Sequence, residues 1–130
     1  MSVEGMQPVH WTFIPGGAIT AYRFVKMSAA NTVIQCAGTT DKPIGVAQEA
    51  ATGAGAPGGI KVCIVGITKL EGDADLAATD AIGTSADGQA AAYTASDTTK
   101  YIVGQVLIDN AAAAGLITAV INCANSRTLA

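Results

Sequence analysis

The residues whose types and spacing could support chemistry fall into a few small sets. Gly53-Ala54-Gly55-Ala56-Pro57-Gly58 matches the G-x-G-x-x-G pattern of dinucleotide sites. That pattern holds a pyrophosphate only where a helix begins directly after it, since the free amides and dipole of the helix N-terminus bind the charge. Here Pro57 lies inside the pattern and a β-branched run from Ile60 to Val65 follows, so the segment reads as a flexible hairpin loop. Asp73, Asp75, Asp80 and Asp87 contain the oxygen ligands a calcium ion needs, but not the ladder of positions closed by a glutamate; they read as turn residues that cap their own backbone. His10 is the sole histidine, so one chain cannot assemble a catalytic triad or a multi-histidine metal site. Cys36, Cys63 and Cys123 have no second histidine to serve as a base. We expect no enzyme, no cofactor and no metal.

The elements around these residues point to contact. A module occurs twice, as Ile44-Gly45-Val46-Ala47-Gln48-Glu49-Ala50-Ala51 and as Val103-Gly104-Gln105-Val106-Leu107-Ile108-Asp109-Asn110. Each copy is a short apolar strand with a glycine near its start and an acid near its end. A turn rich in alanine or glycine follows, then a second β-rich run, Gly59 to Val65 or Leu116 to Cys123. Hairpins of this kind cannot bury their apolar faces alone and must pack on each other or on a partner.

Composition agrees with that reading. The chain has 130 residues, enough for one domain with a core. Charged residues make up 13% against a usual value of about 25%, and 50% are hydrophobic, so the surface must be unusually neutral and prone to association. A net charge of −3, with basic residues scattered, gives no electrostatic footprint for nucleic acid and no basic amphipathic face for a membrane. The start, Met1-Ser2-Val3-Glu4-Gly5, lacks the charge and apolar run of a signal peptide, which leads to an expectation of synthesis in the cytoplasm. The three cysteines, far apart and each flanked by apolar residues, are expected as buried reduced thiols.

Along the chain, residues 1–18 form an aromatic, proline-broken segment without a period and read as an extended N-terminal arm. His10, Trp11 and Phe13 are its candidate contact residues: rigid aromatics anchor the arm on a neighbouring subunit or a capsid, unless the arm folds back over its own core. Residues 19–124 read as a β-rich domain. Strands are expected over Ile19–Met27, with an irregularity near Tyr22, and over Thr32–Cys36, Ile44–Glu49, Ile60–Val65, Ile67–Leu70, Gln89–Thr94, Tyr101–Ile108 and Leu116–Cys123. Asp87-Gly88 marks a tight hairpin turn. Asp73 to Ala78 could make one helical turn and Asp109 to Gly115 a short helix. Residues 125–130 read as a loose tail. The fold class is mainly β: a single-domain barrel or sandwich built of hairpins, with at most one or two short helices.

The succession Ile44-Gly45-Val46-Ala47 with Glu49-Ala50-Ala51, Ile60-Lys61-Val62 with Val65-Gly66, Glu71-Gly72-Asp73, Asp87-Gly88 and Val103-Gly104-Gln105-Val106 resembles the head-decoration, or capsid cement, proteins of tailed bacteriophages. The resemblance spans Tyr22 to Asn122 and is one of pattern. It implies a β domain that adds to the outside of an assembled icosahedral head, often as a homotrimer, and reinforces joints between major capsid protein subunits. It brings no catalytic residues. Two other classes remain open: a tail or fibre subunit that self-assembles without a capsid, and a small carbohydrate- or ligand-binding β domain.

Overall fold

Strands with apolar residues at consecutive positions must find cover on both faces, and that requirement organises this molecule. The computed structural model describes residues 8–55, 58–74, 76–94, 96–109 and 115–128. The chain runs through β1 (Val9–Pro15), β2 (Phe24–Ala29), β3 (Thr32–Gln35), β4 (Gly45–Ala47), β5 (Ile60–Glu71), β6 (Ala81–Thr84), β7 (Ala90–Ala92), β8 (Tyr101–Ile102), β9 (Gly104–Ile108) and β10 (Leu116–Asn122), then a 3₁₀ turn (Cys123–Asn125) and β11 (Arg127–Thr128). The fold is mainly β, as composition and pattern predict.

One continuous sheet runs in the order β1-β3-β2-β4-β5-β10-β9-β6-β7, and a further pairing of β1 with β5 closes the first five of these strands into a barrel. The second half, β10-β9-β6-β7, extends from the far end of β5. It curls back as Ala90 of β7 bridges Gly72, just past that end, and the Asp73 N–H donates to the Ala90 carbonyl at 2.9 Å. β5 is therefore common to both halves. Its residues 60–65 pair with β1 and residues 65–71 with β10. Gly66 stands at the crossing with φ +138, a conformation side chains other than glycine's rarely adopt.

The period of two then divides the side chains between two cores. Phe13, Val25, Val33, Ala47, Ile60 and Val62 point into the barrel. Their neighbours Phe24, Val46 and Cys63 point outward, where they meet Leu70, Ile82, Val106, Ile117 and Ile121 of the second sheet. Thus the barrel's outer wall is the floor of the second core, and each large side chain fully buried there contributes about 1.5–3 kcal/mol.

The duplicated sequence module is a pair of hairpins in space. β4 pairs with β5 and β9 with β10, and the two hairpins lie side by side through the β5–β10 ladder. The shared glycine has a packing reason. A Cβ on Gly45 would collide with Val62 and the Cys63 carbonyl, and one on Gly104 with the Val120 carbonyl, so each hairpin closes tightly only with glycine there.

Several expectations are corrected. The segment expected as an arm is, from Val9 to Pro15, a barrel strand: it pairs antiparallel with β5 from Phe13↔Ile60 to Val9↔Val65 and parallel with β3 at Ile14↔Thr32. A domain boundary at residue 18 would cut this barrel open. The strand expected from Ile19 begins only at Phe24; Tyr22 turns the chain with φ +62, where the alternation slips. The segment expected as a loose tail, residues 125–130, follows directly on the 3₁₀ turn over Cys123–Asn125, and its β11 pairs with β8, with residues 129–130 outside the described part. The described residues of 73–78 run through bends and a bridge in place of a helical turn, while residues 110–114, the body of the other expected helix, lie outside the described residues.

Candidate assembly surfaces

The described residues bring forward two exposed apolar surfaces, one on each half. The first is β1 itself. From Val9 to Thr12 every residue is exposed, so this part of the strand stands as a rib on the barrel. Trp11 is 58% exposed, yet its indole N–H donates to Asn31 Oδ1 at 2.9 Å. Asn31 sits in the β2–β3 turn at φ +52, a conformation asparagine tolerates. The ring is thereby held in place while presenting its surface to solvent, a pre-organised aromatic anchor. His10, Trp11, Thr12 and Lys61 border a shallow cleft of about 370 Å³. Val9 and Ile14 add two further half-exposed apolar side chains.

The second surface is the outer face of the β5–β10–β9 ladder. Ile67 lies opposite Val120, and Lys69 opposite Thr118, which in turn lies opposite Ile108. A bulge between Thr118 and Ala119 sets Ile108 against Thr118 and Val106 against Ala119, leaving Leu107 as the extra residue. Leu107 and Ile108 are therefore both exposed, Ile108 at 63%, and Ile67 at 56% continues the patch across β10.

A polar joint fixes the two halves against each other. Arg23, next to β2, donates through Nη2 to Glu71 Oε1 at 2.8 Å, and Gln89 Nε2 donates to the same oxygen at 2.6 Å. Arg23 Nη1 and Gln35 Nε2 both donate to the Asp87 carbonyl, at 3.2 and 3.0 Å. Burial tends to raise the Glu71 pKa, but the Arg23 and Gln89 donors together with the guanidinium charge outweigh it and hold the carboxyl below its usual range. Asp41 is depressed in the same way: partial burial is outweighed by the Ala37 and Gly38 amides and by Lys26 at 2.9 Å.

The three cysteines share the second core as free thiols. Burial pushes Cys36 up to about 12 and raises Cys63 and Cys123 as well. Thiolate, the reactive form, is thus suppressed at all three.

Of the residues singled out in sequence, His10 and Trp11 are exposed on the rib. Phe13 is not on that surface: it is 6% exposed and belongs to the barrel core, because alternation along β1 turns it inward beside Ile60. The sheet patch was missed. Its signal was the unbroken run Val106-Leu107-Ile108, which cannot alternate and so requires either two buried faces or a bulge. The glycine pattern at 53–58 leads into β5, a strand, in keeping with a loop. Asp80 acts in a turn, its Oδ2 accepting from the Ala77 N–H at 2.9 Å; Asp75 lies outside the described residues.

A closed barrel sharing one long strand with a second sheet, with exposed apolar residues on β1 and on the outer sheet face, defines a class of β module. Among solved structures the fold is similar to the N base of the head fiber protein gp8.5 of bacteriophage phi29, with a TM-score of 0.69 and 18% sequence identity, covering 90% of this chain and 96% of that one. At that identity the likeness establishes the fold. No protein-family model and no curated protein matches the chain.

Proposed function

We propose that this chain is a non-catalytic structural protein of a tailed-phage head, attached to the outside of the shell. The observation that carries the reading is the fold shared with a phage head fiber base over nearly the full length of both chains. The pattern resemblance to head-decoration proteins, the low charge and the two exposed apolar surfaces support the same assignment. The partners are the major capsid protein and further copies of this chain, with the homotrimer that the resemblance implies. As a cement, the protein binds the mature lattice and stabilises it by mass action, with many modest contacts repeated over symmetry-related sites adding avidity.

A fibre base is a second reading favoured by the same likeness: here the domain seats a projection on the head and adds nothing to shell strength. The test is sedimentation of purified protein with empty expanded heads, followed by heating of bare and decorated shells. Co-sedimentation at saturating, symmetry-related stoichiometry with a raised disruption temperature supports cementing. Co-sedimentation with no change in disruption temperature supports the fibre base, and absence from the pelleted heads overturns both.

A further inference from the structure

We propose that copies of this chain meet head to tail, the β1 rib of one copy lying on the outer β5–β10–β9 face of the next. The contact deepens the assembly reading above and takes its setting from it, but its test uses purified protein without heads, so either can fail alone.

Both surfaces are apolar and both are left in water by the single chain. Three large side chains about half exposed on the rib, Val9, Trp11 and Ile14, and four on the sheet face, Ile67, Leu107, Ile108 and Leu116, give a few hundred Å² each, the size of the largest patch on a typical monomer, roughly 300–600 Å². Each is short of the ~800 Å² per partner of a stable interface. A two-fold contact through either surface would bury that one and leave the other exposed on every copy. A heterologous contact buries both on every copy and closes into a ring when the rotation between them permits. Trp11 suits the anchor role, since its indole is already held by Asn31 and little side-chain freedom is lost on binding.

Charge gives the contact a direction. Lys61 borders the rib and Asp109 ends the β9 side of the sheet face; both are exposed, and the ion pairs among the described residues, Arg23–Glu71 and Lys26–Asp41, involve neither. Lys69 lies on the opposite, β5 side of that face. The rib's lysine is therefore drawn toward the β9 edge and away from the β5 edge.

Sedimentation velocity on the full chain over a concentration series tests this, with Trp11→Lys closing the rib and Ile108→Lys closing the sheet face. The wild type is expected to self-associate and each variant alone to associate about thirtyfold or more weakly, with unchanged circular dichroism and melting. An equimolar mixture of the two variants retains one intact junction, the sheet of the Trp11→Lys chain with the rib of the Ile108→Lys chain, and should give heterodimers and nothing larger. If Trp11→Lys fails to fold, Val9→Lys replaces it. A wild type that is monomeric at every concentration overturns the proposal. So does a rib variant that associates like wild type, which would mark a two-fold sheet contact, or a mixture that stays monomeric.

Discussion

The barrel and the second sheet solve the problem of strand edges differently. The barrel closes on itself through β1 and β5 and keeps a small interior of its own. The second sheet has no such independence: its core is completed by Phe24, Val46, Cys36 and Cys63, all from the barrel half. The difference teaches that the outward-facing residues of the barrel strands, which a solitary barrel would make polar, are here the structural joint. It also locates most of the exposed large apolar residues among those described, on the one barrel strand that stands clear and on the sheet face turned away from the joint, with Met27 of β2 lying apart from both.

The sharpest way to break this arrangement is at Phe24, fully buried between the halves. Phe24→Ala should cost about 3–5 kcal/mol in urea unfolding. Val25→Ala, one residue along but inside the barrel, removes less and should cost about 1–3 kcal/mol. A reversed order would show that the barrel interior, and not the joint, dominates stability.

Next in size is the polar joint. Glu71→Gln leaves the partly buried Arg23 without its counter-charge and should cost about 1–3 kcal/mol at neutral pH. The pH dependence follows from the same pair. The folded carboxyls of Glu71 and Asp41 titrate below their unfolded values. Their stabilisation is present above the ordinary carboxylate range and is lost as pH falls through that range toward the depressed folded values. The wild-type midpoint should therefore fall on acidification, and less steeply in Glu71→Gln.

A smaller effect of opposite sign is expected at Asp73. Burial, with a further push from Asp87, raises its pKa, so its charged form costs stability above the folded pKa and the cost disappears as pH falls through it. Asp73 is exposed at the surface, so solvent screens most of this cost, and Asp73→Asn should leave the melting temperature at pH 7 unchanged or slightly raised. The smallest perturbation is chemical. A thiol reagent should leave all three cysteines of the native protein unmodified over minutes and label them together in denaturant; rapid native labelling at any one would mean that the second core opens locally.

What the sequence disclosed was local. The repeated hairpins showed because Gly45 and Gly104 sit where a Cβ would strike the neighbouring strand, and the irregularity at Tyr22 showed because a turned backbone interrupts alternation. β1 was mistaken for an arm for a physical reason: four of its residues are exposed on both faces, so it carries no period, and its main partner lies some fifty residues on in β5. The tail misled likewise, since β11 is exposed and pairs with β8, well upstream in the chain. Of the candidate contacts, exposure of His10 and Trp11 was legible in their polar and proline-rich setting, whereas the inward turn of Phe13 required the register of a distant strand. Leu107 and Ile108 stayed hidden because an unbroken apolar run usually signals burial, and only the bulge against β10 turns both outward.

The long strand that belongs to both halves has a consequence for how the molecule comes apart. Neither half can lose its order without stripping hydrogen bonds from a segment the other still needs, so opening on one side raises the energy of the other. Amide protons of Ile60–Glu71 on both sides of Gly66 should exchange with solvent in one concerted event, at the slow rate set by global unfolding, giving a subunit that responds to heat or tension as a single unit.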